Sequence, residues 1–129
     1  MNNPVDQSFN ILIVDDVATN RELAKHIVKA EGYTADTAVD GRSALEMIAS
    51  RSYDLVLLDV VMPGLDGFEV CQRIRQQPQF ARLPVILLSG FDEYVDMLTR
   101  AKEVGATSFL PKSSIVERLA EEIAKALEY

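Results

Sequence analysis

A doubly wound α/β fold, a mostly parallel sheet with helices on both faces, is predicted by three observations. Short apolar runs rich in Val, Ile and Leu alternate with longer amphipathic stretches, as repeated strand-helix units do. The runs lack clean period-two alternation, as strands covered on both faces do. Five such units fit in 129 residues, of which 48% are hydrophobic, enough for one sizeable core and one domain.

The elements follow in order. The first strand is read at residues 9–14 and the first helix at 19–31, closed by Gly32 where a left-handed residue is needed. The second strand is placed at 33–38 and its helix at 42–50. The third strand, 55–58, leads into a turn-forming loop in which Pro63 fixes φ and Gly64 and Gly67 are available for positive φ. A helix at 67–77 ends before Pro78, and Pro84 precedes the fourth strand at 85–88. A helix at 92–104 stops at Gly105, and a strand at 108–110 and a helix at 114–127 complete the chain. Val116, Leu119, Ala120, Ile123 and Leu127 make the core stripe of that last helix, which Ile115 and Ala126 widen. Residues 1–8 are read as a flexible lead and 9–129 as the domain. Right-handed crossovers carry every strand's C-terminal end to one edge, where ligands of such sheets bind.

Composition narrows the function. A formal net charge of -7 opposes direct binding to nucleic acid, and no apolar run approaches a membrane span. Cys71 is the only cysteine, which leaves no disulfide framework or cysteine zinc site and fits a cytoplasmic location. His26, the only histidine, reads as a surface or partly packed helix residue, and Cys71 as a packed one.

The residues predicted at the functional edge share one chemistry. Asp15 and Asp16 follow Ile11-Leu12-Ile13-Val14, and Asp59 follows Leu55-Val56-Leu57-Leu58. Three carboxylates so close raise one another's pKa unless a cation joins them, and a hard divalent ion with oxygen ligands is the usual remedy. Ser89-Gly90 ends the fourth strand, and Pro111-Lys112 follows the fifth, adding a hydroxyl and an ammonium. A transferring phosphoryl group needs such positioning and cations rather than a proton relay. Each residue alone also has an ordinary reading: Asp as a helix cap or turn, Ser89 as a strand-end turn residue, Lys112 as a solvated amine.

The ordered set Val14-Asp15-Asp16, Leu58-Asp59-Val60-Val61-Met62-Pro63-Gly64-Leu65-Asp66-Gly67, Leu88-Ser89-Gly90 and Phe109-Leu110-Pro111-Lys112 closely resembles the receiver domains of two-component response regulators, across nearly the whole chain. The resemblance implies a flavodoxin-like sheet in strand order 2-1-3-4-5. It also implies a phosphoryl acceptor at Asp59 and a Mg²⁺ held directly by Asp16, mostly through water by Asp15, and with Asp59 and the backbone carbonyl of Val61 as further members of the site. Ser89 would hydrogen-bond a phosphoryl oxygen and Lys112 would pair with it. Implied partners are a histidine kinase or histidine phosphotransfer protein as donor and a downstream effector protein or domain. The fourth helix, fifth strand and fifth helix would be the output face, where a second copy could also dock.

Phosphorylation is expected to draw Ser89 toward the new oxygens and to let Phe109 settle inward. Val61 and Phe91 stand where the family governs water access to the phosphoryl group, and neither side chain can orient a water. Two departures stand out: Ser113 rather than proline follows Lys112, and Phe109 occupies a position often held by tyrosine. A phosphorylation-operated switch that assists its own phosphorylation and slow dephosphorylation, rather than an enzyme with a substrate, is the leading reading. A Mg²⁺-dependent phosphatase with an Asp nucleophile, of the haloacid-dehalogenase-like group, would need an Asp-x-Asp spacing that Asp15-Asp16 lacks, and the complete acidic set with Lys112 opposes a constitutive binding module.

Overall fold

The computed structural model describes residues 8–90 and 94–128. Five parallel strands, β1 (Asn10–Val14), β2 (Thr34–Ala38), β3 (Leu55–Asp59), β4 (Val85–Ser89) and β5 (Ser108–Pro111), form one sheet in the order β2-β1-β3-β4-β5. Four helices connect them, α1 (Ala18–Ala30), α2 (Gly41–Ser50), α3 (Gly67–Arg75) and α4 (Tyr94–Glu103), and α5 (Ile115–Leu127) follows the last strand. This is the expected flavodoxin-like arrangement. The beginning of the helix read at 92–104 lies outside the described residues, as do residues 1–7.

Strand periodicity splits the core into two layers. Leu12, Val14, Val56, Leu58, Val85 and Leu87 face α2 and α3, meeting Ala44, Ile48, Phe68, Cys71 and Ile74. Ile11, Ile13, Leu55, Leu57, Ile86 and Leu88 face α1 and α5, meeting Ala24, Val28, Leu119 and Ile123. Both faces of the three central strands are therefore apolar, which is why no alternation showed in their sequence. Cys71 lies in the first layer with its Sγ 3.5 Å from the carbonyl oxygen of Val104, and burial pushes its thiol above the ordinary range. His26 is exposed.

Several boundaries and roles differ from expectation. The third helix ends at Arg75, and Pro78–Phe80 forms a separate 3₁₀ turn because the residue before a proline is disfavoured in helical conformation. Gly32, Gly64 and Gly105 adopt φ of 91, 77 and 82°, whereas Gly67 is not among the positive-φ glycines. Gly67 is needed for close approach instead: a Cβ there would overlap the carbonyl oxygen of Asp59 and lie 2.8 Å from Cα of Val60. Asp66 caps α3 through a reciprocal pairing with Glu69, so the loop after Asp59 ends on a rigid helix start. In α5, Val116 is 69% exposed and does not belong to the buried stripe. Consecutive helical residues project about 100° apart, and the first turn buries Ile115 and turns Val116 outward.

Candidate functional site

The ladder extends one residue further than the apolar runs, and that extra residue is chemical. Asp59 closes β3 opposite Leu88, and Ser89 closes β4 opposite Pro111. Parallel pairing thus places both polar side chains at the C-terminal edge of the sheet, in its centre, where Asp59 is 3% and Ser89 1% exposed. Asp15 follows β1, is equally buried, and has its amide held by the carbonyl of Ala38 at 3.2 Å. Lys112 comes directly after β5 and reaches back across the edge.

Its ammonium bridges two acids. Lys112 Nζ lies 3.0 Å from Asp59 Oδ1 and 3.1 Å from Asp15 Oδ2. The other oxygen of Asp15 accepts from the amide of Val17 at 2.9 Å, so the ordinary turn-forming reading of this Asp holds alongside the ionic one. Asp16 is exposed at the mouth, and Asp15, Asp16 and Asp59 each offer a carboxylate oxygen within 4.8 Å of the others. Val61 borders the site with a half-exposed side chain, and its amide donates to the Asp59 carboxylate. Gly90 passes close to the stem of Lys112: a Cβ on it would come 3.8 Å from Cδ.

The electrostatics are unbalanced. Burial pushes the Asp59 carboxyl up to about 6; Lys112 opposes this, Asp15 adds to it, and the Val61 amide also opposes. Burial pulls the Lys112 ammonium down, but its bonds to Asp59 and Asp15 outweigh that and leave it above its ordinary value. One ammonium faces three carboxylates, all donors in the cluster are oxygen, and one carboxylate is destabilised as an anion. Such a donor set fits a hard divalent cation such as Mg²⁺, which takes oxygen ligands and keeps several waters.

The response regulator receiver domain family matches residues 11–124. The chain belongs to this family. Response regulator PleD of Caulobacter vibrioides is 42% identical over 105 residues, which are 81% of this chain but 23% of PleD, so the chain spans under a quarter of that relative. Among solved structures, the response regulator TrrA of Thermotoga maritima, in complex with Mg²⁺ and BeF, is 38% identical with a TM-score of 0.82 over 92% of this chain and 99% of TrrA. The chemotaxis response regulator CheY4 of Vibrio cholerae is 32% identical with a TM-score of 0.86, covering 93% of this chain and 99% of that one.

Of the five side chains expected at the receiver site, Asp15, Asp16, Asp59 and Lys112 meet at one place, and Ser89 closes the neighbouring strand β4. Phe109 is buried, 8% exposed, in the layer shared with α4. After Lys112 the chain enters a 3₁₀ turn, Lys112–Ser114, and the described residues contain no cis peptide. Phe91 lies outside the described residues. Arg21 was missed by sequence reading. Its guanidinium donates to the main-chain carbonyl of Asp15 at 2.9 Å, and only its place five residues after Asp16 on the adjoining helix hinted at this.

Proposed function

We propose that this domain is a phosphorylation-operated switch that accepts a phosphoryl group from a histidine kinase or histidine phosphotransfer protein onto Asp59. The observation that carries the reading is the Lys112 ammonium held between the buried Asp59 and Asp15, with the exposed Asp16 beside them. In the transfer, an Asp59 carboxylate oxygen forms a bond to phosphorus, the phosphorus–nitrogen bond of the donor breaks, and the imidazole leaves with the bonding electrons and takes up a proton. The residues in position to assist are those of this edge. Lys112 offsets charge on the moving oxygens, and Ser89 offers a hydroxyl to one of them. Asp16, Asp59 and the Val61 carbonyl are proposed as direct Mg²⁺ ligands and Asp15 as a ligand through water. Mg²⁺ supplies compensation for the negative charge that three carboxylates and a phosphoryl group bring together.

The result is a signalling state rather than a turned-over substrate. Added charge at Asp59 favours arrangements in which Ser89 and Lys112 turn toward it, and α4, β5 and α5 carry the change to an effector or a second copy. The described helices include none long and apolar enough to cross a membrane. The proposed location is the cytoplasm, a reading supported by the single cysteine, which fits a reducing compartment. Incubation with acetyl phosphate and Mg²⁺, followed by intact mass, tests the reading. A single phosphoryl addition is expected in the parent and none in Asp59→Asn, whose amide is no nucleophile for phosphorus. Continuous phosphate release without a lasting adduct would mean a phosphatase, and no addition would mean a binding module without phosphorylation.

A further inference from the structure

Asp15 is tied down at every polar atom it has. Its amide donates to Ala38, one carboxylate oxygen accepts from the Val17 amide, the other meets Lys112, and its carbonyl accepts from Arg21 at 2.9 Å. The last bond differs in kind, because it fixes a peptide unit rather than a side chain. The carbonyl of Asp15 and the amide of Asp16 belong to one planar group, so holding the first sets the orientation of the second. Asp16 itself is exposed, and the orientation of its peptide sets where its Cβ starts and which rotamers can carry its carboxylate toward the cluster. A half-buried arginine on α1, with a planar fork and a long stem, supplies that hold from outside the cluster.

We infer that Arg21 is a positioning residue that aligns Asp16 for a small, geometrically demanding cation, and so gives the site its preference for Mg²⁺ over Ca²⁺. This rests on the reading of Asp16 as a direct ligand. The physical basis is the contrast between the ions. Mg²⁺ requires near-octahedral ligands at short distance, whereas Ca²⁺ accepts a flexible shell of longer contacts. A carboxylate freed to swing therefore penalises Mg²⁺ more. Arg21 is also a cation near an acidic cluster, and that role has the opposite sign. If charge alone mattered, removing it would tighten binding of both ions, and by similar factors.

The test is an amide chemical-shift titration of the whole chain with MgCl₂ and with CaCl₂, in the parent, Asp16→Asn, Arg21→Met and Arg21→Gln. Arg21→Met keeps apolar stem volume, and Arg21→Gln is a second neutral variant should the first not fold. The expected result is a loss of about tenfold in Mg²⁺ affinity in the Arg21 variants, the low end of what outer-shell changes usually cost, with Ca²⁺ affinity within about twofold. Tighter binding of both ions, or an equal loss for both, would overturn the inference. The underlying reading fails separately: if the parent does not bind Mg²⁺, or Asp16→Asn binds it as well as the parent, Asp16 is not a ligand.

Discussion

Asp36 and Asp59 each meet a cation at nearly the same distance, 3.1 Å to Arg51 and 3.0 Å to Lys112, yet their surroundings differ. Asp36 lies on edge strand β2 with its side chain 41% exposed, and it also accepts from the Tyr53 hydroxyl at 2.6 Å. One carboxylate there has one cation and one hydroxyl, and the rest of it is open to solvent. Burial and the bond to Asp36 push the Tyr53 phenol up to about 12, which keeps it a hydrogen-bond donor at any ordinary pH. At Asp59 one ammonium serves a buried pair with a third carboxylate beside it. The first arrangement is complete as it stands. The second is short of positive charge, and a largely buried site short of positive charge is one that a metal and a phosphoryl group can change.

Breaking each cation contact sharpens this contrast most. Lys112→Ala is expected to slow phosphorylation by acetyl phosphate about a hundredfold, the scale for removing one preorganised donor from a charge-developing centre. Arg51→Ala should leave the rate unchanged. Rates would be followed by intact mass at fixed Mg²⁺, and equal effects of the two substitutions would erase the distinction between the two acids.

A smaller effect is expected in stability against pH. Asp59 has a folded pKa of about 6 against an ordinary 3.8. A raised folded pKa means that its contribution to stability is fully present below the ordinary value and is lost as pH rises through about 6. Metal-free parent protein should therefore lose stability across that window. Asp59→Asn, which cannot ionise, should lack this loss and be more stable than the parent at neutral pH by about 2 kcal/mol. Thermal melts of both proteins in chelator from pH 4 to pH 7 check this, and parallel curves would show that Asp59 ionises without strain.

The smallest expected change concerns the lifetime of the phosphorylated state. Val61 borders Asp59 with its side chain 48% exposed, and the resemblance assigns Phe91 to the same task of limiting water access. Polar replacement of both, Val61→Asn with Phe91→Glu, should speed dephosphorylation about tenfold, equivalent to about 1.4 kcal/mol in the barrier. Decay of the adduct after donor removal, in equal Mg²⁺, gives the comparison. Unchanged or slower decay would mean that water reaches phosphorus by another route.

The two acidic regions were not equally legible in the sequence. Asp59 stood directly after a four-residue apolar run, Asp15-Asp16 after another, and the parallel topology then required their convergence. Asp36 lay within the polar strand Thr34–Ala38, and nothing local linked it to Arg51 and Tyr53 fifteen and seventeen residues away. Strand ends were read one residue short at Asp59 and Ser89 because hydrophobicity stops where burial does not; the ladder continues under a polar side chain. Gly67 illustrates another limit. Its spacing suggested a turn conformation, whereas its role is to let α3 start against the backbone of Asp59, a contact between chain segments that no local pattern encodes. Val116 was assigned to the α5 stripe by periodicity alone, which cannot tell how much of the first turn faces the sheet. Arg21 escaped for the same reason: its function lies in a bond to a backbone atom, and backbone acceptors leave no mark in a sequence.

The central claim is that the acceptor is Asp59 and not one of its acidic neighbours. An acyl phosphate is reduced by borohydride to the corresponding alcohol, so a phosphorylated aspartate becomes homoserine while an unmodified carboxylate does not react. Phosphorylating the parent chain in Mg²⁺, reducing it and sequencing its peptides by mass spectrometry therefore marks the residue directly. Homoserine at position 59, with aspartate retained at 15, 16 and 36, is the predicted result. Homoserine at 15 or 16, or an adduct that leaves residue 59 as aspartate, would contradict the account.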